Sequence, residues 1–102
     1  MIKIHVRERE DSSVIAIQGH AKFAPKGQDI VCSAISTLYY SLHRFILTDT
    51  TAHIESIQAK NNENTLTITD MEKDAKTALN YFIQGCEMVS DSYPENVQIY
   101  ID

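Results

Sequence analysis

A Gly19-His20 pair is followed after a short stretch by Gly27-Gln28-Asp29-Ile30-Val31-Cys32-Ser33. Imidazole and thiol both trade protons near neutral pH, and together they are the parts of nucleophilic acyl transfer. A cysteine in the first turn of a helix faces backbone N–H groups and the positive end of the helix dipole, which favour its thiolate. An imidazole nearby takes the thiol proton, or pairs with the thiolate, and later protonates a leaving amine. Cys32 is thus the candidate nucleophile and His20 its candidate base. Gly19 beside it lets backbone approach closely, and the amides of Cys32 and Ser33 are placed to polarise an acyl oxygen. The pair alone also fits a quieter reading, a cysteine packed as a small hydrophobe and a histidine on the surface at a strand end.

Two neighbours carry open roles. Asp29 can orient His20 as a third member of the site, or cap the helix by accepting from the amides of its first turn. Its charge there would also oppose thiolate formation. Ser36 lies one helical turn after Cys32, so it meets the thiol or the substrate, or bonds back to a carbonyl, which is the default for a serine inside a helix.

The elements that must hold these residues follow from periodicity. Ile2, Ile4 and Val6 alternate with Lys3, His5 and Arg7, and Val14 to Gln18 resumes a β-branched run after a polar break, which predicts a hairpin. The second strand ends at Gly19-His20. Residues 21–28, with Ala21, Phe23, Pro25 and Gly27, show neither helical nor strand period and read as a loop beside the candidate site. Asp29 then starts a helix running to about residue 47, with Ile30, Ala34, Leu38, Leu42 and Phe45 as its stripe and Val31, Ile35 and Ile46 flanking it. Residues 51–59 and 65–69 form a second hairpin across a polar turn at 60–64, with Leu66 and Ile68 inward. Asp70 caps a second helix whose stripe is Ala75, Leu79, Phe82, Cys86 and Val89, ending before Pro94. Val97, Ile99 and Ile101 make the last strand.

The order ββαββαβ predicts an α+β, two-layer sandwich with both helices on one face of a mainly antiparallel sheet. A partner subunit is one way to cover the other face, for which Tyr100, Ile15 and Ile17 are the apolar candidates. At 102 residues, with 43% hydrophobic and 23% charged, the chain is expected to be one folded domain over 1–102.

Composition excludes several functions. Nine basic against fourteen acidic residues give a net charge of -5, and no concentrated Lys/Arg patch is present, so nucleic acid is not an expected partner. The longest apolar run is four residues, 14–17, against about 20 for a membrane span, so no membrane association is expected. The first residues lack a basic flank, an apolar block and a cleavage signature, which points to a cytoplasmic protein. Two cysteines are too few for a disulfide framework, and Cys86, on an apolar helical stripe, reads as inert core. His5, His43 and His53 are scattered with no zinc-ligand spacing, so neither a metal nor another cofactor is expected. Tyr39, Tyr40, Tyr81 and Tyr93 read as packing residues on helix surfaces or ends.

At Gly19, His20, Gly27, Asp29, Ile30, Val31, Cys32 and Ser36 the chain resembles the bacterial ribosomal-processing cysteine proteases, whose motif is a Gly-His, a short loop, then Gly-x-Asp-Ile-Val-Cys with small residues and a serine after it. Length and order of elements resemble the family over essentially all 102 residues. The resemblance implies Cys32 as nucleophile, His20 as general base, and removal of a short N-terminal extension from a large-subunit ribosomal protein precursor. It also implies a homodimer and a flexible substrate-gating loop over the site, here residues 21–28. The reading from a different class is a non-enzymatic dimeric α+β module that binds a ribosomal or assembly partner through a sheet edge.

Overall fold

The computed structural model describes residues 1–25, 27–59 and 63–102. Its elements are β1 (Ile2–Glu8), β2 (Ser13–Gln18), α1 (Ile30–Asp49), β3 (His53–Gln58), β4 (Glu63–Thr69), α2 (Lys73–Ser92) and β5 (Val97–Ile101). The ββαββαβ order is the expected one. Both hairpins pair antiparallel, β4 joins β2 antiparallel, and β5 lies parallel to β1, giving one sheet in the order β3-β4-β2-β1-β5. Of the polar turn expected at 60–64, residues 60–62 lie outside the described residues.

One face of the sheet supplies the core. Ile4, Ile15, Leu66, Ile68 and Val97 are fully buried there, under a helical layer that contributes Val31, Ile35, Leu42, Ile46, Leu79 and Phe82. The helices touch where Gly85 faces Leu38: a Cβ on Gly85 would stand 2.7 Å from Leu38 Cδ2, so a side chain there would displace the Leu38 side chain. α1 is long and apolar enough by composition to cross a bilayer, although polar residues, including His43 and Arg44, interrupt every apolar run within it. Its apolar stripe is instead used on the core.

Four expectations are corrected. The buried stripe of α1 is Val31, Ile35, Tyr39, Leu42 and Ile46, whereas Ile30 and Phe45 are exposed. The helix is apolar on more than one side, and the face it buries is set by packing on α2 and the sheet rather than by its own periodicity. Tyr39 is therefore core, not surface. Ile15 and Ile17 point to the helical layer, because Ser13, Ile15 and Ile17 share one side of β2 and Val14 and Ala16 the other. The outer face instead carries His5 stacked on Tyr100, ring centroids 4.7 Å apart, with Ala16 opposite His5 across the β1–β2 pair. Finally, Asp70 does not cap α2. It sits in a left-handed turn (φ 55°) opposite His53 at 3.5 Å, while Glu72 takes the cap position and Asp74 supplies negative charge in the first turn.

Candidate active site

The site is assembled where β2 ends and α1 begins. Gly19 is required at that corner: its φ is +92°, and a Cβ would stand 2.3 Å from the Met1 carbonyl oxygen, so the chain leaves β2 hard against the start of β1. His20 follows, exposed beyond the end of the sheet. Ala21 is buried, with 1% of its surface exposed, and its N–H donates to Cys32 Sγ at 3.4 Å while its carbonyl accepts from Asn96 Nδ2 at 2.8 Å. Lys22, at φ 56°, turns the chain back, and Phe23 packs edge-on against Tyr93 with centroids 5.2 Å apart.

Asp29 closes the loop onto the helix. Oδ1 accepts from the amides of Val31 (3.0 Å) and Cys32 (2.9 Å), and Oδ2 accepts from Phe23 N at 3.0 Å and, more weakly, from Ala24 N at 3.5 Å. The Cys32 N–H, first, and those of Phe23 and Ala24 hold its carboxyl below the usual carboxylate range, against a smaller opposing effect of desolvation. A carboxylate with both oxygens committed to backbone amides is a cap and a loop anchor. Among the described residues it makes no hydrogen bond to His20.

Cys32 is half-buried in the first turn of α1, and opens with His20 onto a groove of about 700 Å³ that Lys22, Ser33, Ser36 and Thr37 also line. The sequence-predicted pair therefore shares one cleft. Among the described residues no hydrogen bond joins the two side chains; the sulfur's partner is the Ala21 amide. The amides expected to polarise an acyl oxygen are both occupied, Cys32 N by Asp29 Oδ1 and Ser33 N by the Asp29 carbonyl at 3.1 Å. An N-cap at Asp29 necessarily consumes the first-turn donors that the sequence reading left free. The back-bond expected of Ser36 is made one residue on, by Thr37 Oγ1 to the Ser33 carbonyl at 2.8 Å. Ser36 remains exposed in the groove.

The loop is less loose than its composition suggests. Ala21 belongs to the core, Phe23 and Ala24 are tied to Asp29, and Gln28 N donates to the Pro25 carbonyl at 2.9 Å. Gly27 adopts φ +89° and is open to solvent. Lys26 lies outside the described residues. Sequence reasoning missed Asn96 altogether, since an asparagine just after Pro94 reads as an ordinary turn residue and its partner Ala21 carries no polar side chain.

Two other features bear on where chemistry resides. A larger cleft, about 940 Å³, runs between α1 and α2 past Leu38, Phe45 and Tyr81, but it contains neither a histidine nor a cysteine. Among the described residues no cluster of three or more histidine, cysteine or acidic side chains is arranged to hold a metal ion.

The family model described as "Cysteine protease Prp" matches residues 1–98. A ribosomal processing cysteine protease Prp from Mycoplasma pneumoniae is 31% identical over 97 residues, covering 93% of this chain and 89% of the relative. Among solved structures, an essential ribosomal processing protease Prp from S. aureus with a covalently linked product peptide superposes with a TM-score of 0.91 at 20% identity, all of both chains being covered. The same protease with a substrate peptide gives 0.80 at 17% identity, again over the whole of both chains. SMU.848 from Streptococcus mutans gives 0.71 at 24% identity over 99% of this chain and 93% of its own.

Proposed function

The chain belongs to the cysteine protease Prp family of hydrolases, and from that premise we propose that Cys32 is its nucleophile and His20 its general base and acid. The observation that carries this reading is their common groove, with Cys32 on the first turn of α1 and His20 at the end of β2. An extended peptide lies in the groove with its scissile carbonyl over Sγ. The imidazole takes the thiol proton as sulfur attacks the carbonyl carbon, and the resulting oxyanion collapses with loss of the amine, which His20 protonates. Water then attacks the thioester, giving its proton to His20, and the acid product leaves with Cys32 restored as the thiol.

The substrate in this reading is the N-terminal extension of a large-subunit ribosomal protein precursor, processed in the cytoplasm. The relatives' ribosomal-processing activity supports it, as do the peptides held by the S. aureus protein. A net charge of -5 favours encounter with a basic ribosomal protein. The active form is a homodimer, and the loop residues Phe23 and Ala24 order over bound peptide and exclude water. Ala21, being buried, stays with the frame.

Mixing the protein with the precursor tests the reading directly. A shortened product with wild type and none with Cys32→Ala is expected, together with slower amide exchange at Phe23 and Ala24 when an uncleaved peptide is bound. An intact precursor after incubation with folded wild type would sink it.

A further inference from the structure

The donors around the sulfur are few. With the Cys32 and Ser33 amides committed to Asp29, the N–H directed at Sγ is that of Ala21, at 3.4 Å. Its direction is set by the rest of its peptide group. The Ala21 methyl is packed into the core, and the Ala21 carbonyl accepts from Asn96 Nδ2 at 2.8 Å, a contact across 75 positions of sequence. Asn96 is itself fixed by its backbone. Its N–H donates to the Tyr93 carbonyl at 2.9 Å and its carbonyl accepts from Ile2 N at 2.8 Å, so it ties the end of α2 to the start of β1.

His20 lies between two anchored residues. Gly19 is pressed against the Met1 carbonyl, and Ala21 is tied to Asn96. We propose that Asn96 is a positioning residue for this reaction: its side-chain amide orients the Ala21 peptide so that the N–H faces Cys32 Sγ, and thereby holds the backbone that carries His20. This rests on Cys32 being the nucleophile. A hydrogen bond donated to sulfur stabilises the thiolate over the thiol, so losing its orientation raises the pH at which Cys32 reacts. Displacing His20 at the same time lowers turnover without removing any group that contacts the peptide.

Asn96→Asp keeps the size and the backbone bonds but replaces the donor with a carboxylate that faces the Ala21 carbonyl; Asn96→Ala removes the donor without adding charge. Both variants are compared with wild type for precursor cleavage and for the pH profile of Cys32 alkylation by iodoacetamide. The expected result is a kcat lower by about tenfold with KM nearly unchanged, and half-labelling of Cys32 moved upward by about half a pH unit or more. A purely structural role would lower the melting temperature and leave the alkylation profile in place, which overturns the proposal. Wild type supplies a measurement that needs no variant to fold. The Ala21 amide proton resonance should move with pH in step with Cys32 alkylation, the Asn96 side-chain amide protons should exchange slowly, and the Ala21 response should vanish in Cys32→Ala. An Ala21 resonance indifferent to pH overturns the proposal as well. Failure of the underlying reading is distinguishable, because then wild type itself leaves the precursor whole.

Discussion

Two cysteines sit on two helices that pack against each other, and their surroundings differ in nearly every respect that matters for a thiol. Cys32 is in the first turn of α1, half-buried at a groove, with a backbone N–H directed at its sulfur. Cys86 is well inside α2 and fully buried among core residues. Burial pushes its thiol up to about 12, with a smaller contribution from Glu87 in the same direction, so at neutral pH it is an uncharged hydrophobe. A thiol is activated or kept inert according to whether it sits in the first turn of a helix and whether solvent reaches it. Groove size is a poorer guide, since the cleft between the helices is larger than the one at Cys32 and is lined by neither a cysteine nor a histidine.

The sharpest way to break the comparison is to remove each sulfur in turn. Cys32→Ala should reduce precursor cleavage by at least about 10⁴-fold with little change in melting temperature. Cys86→Ala should leave cleavage intact while lowering stability by about 1–2 kcal/mol through the void it leaves in the core. Peptide mapping after iodoacetamide treatment at neutral pH should find Cys32 modified in the folded protein and Cys86 modified only in denaturant. Equal labelling of both in the folded state would erase the distinction.

A smaller effect is expected at the base. His20→Ala should lower kcat by about 10²–10⁴-fold, and calorimetry should find its melting temperature close to wild type, because the imbedded part of this corner is Gly19 and Ala21 rather than the exposed imidazole. A large loss of stability would make His20 structural.

The legible parts of the molecule were those governed by local physics. Period-two and helical patterns locate all seven elements, and the Gly-His and Asp-Ile-Val-Cys segments locate the groove, because capping and strand alternation are short-range. What depended on long-range packing was not legible. Which side of α1 is buried is decided by its packing on α2 and the sheet, so Tyr39 lies inward and Phe45 outward. The Asn96–Ala21 bond joins residues far apart through a backbone carbonyl, which has no sequence signature. The loss of the Cys32 and Ser33 amides to Asp29 was within reach of sequence reasoning, since an N-cap accepts from those positions by definition.

The smallest predicted effect concerns pH and sharpens the contrast from the side of Cys86. In the unfolded chain its thiol ionises near 9.0, whereas in the folded protein it does so only near 12. A group whose folded value is raised contributes stability that is fully present below the unfolded value and is lost as pH rises toward and through the folded one. Between about pH 9 and 12 the unfolded state releases a proton that the folded state keeps, so unfolding is progressively favoured across that window. Tyr39 acts in the same sense at somewhat higher pH, since burial raises its phenol above 10.0. Denaturant midpoints measured from pH 7 to 10.5 should therefore fall more steeply for wild type than for Cys86→Ala, even though the variant starts lower at neutral pH. Parallel curves for wild type and Cys86→Ala would mean that solvent reaches the Cys86 thiol in the folded protein, and the division between a reactive and an inert cysteine would rest on the groove alone.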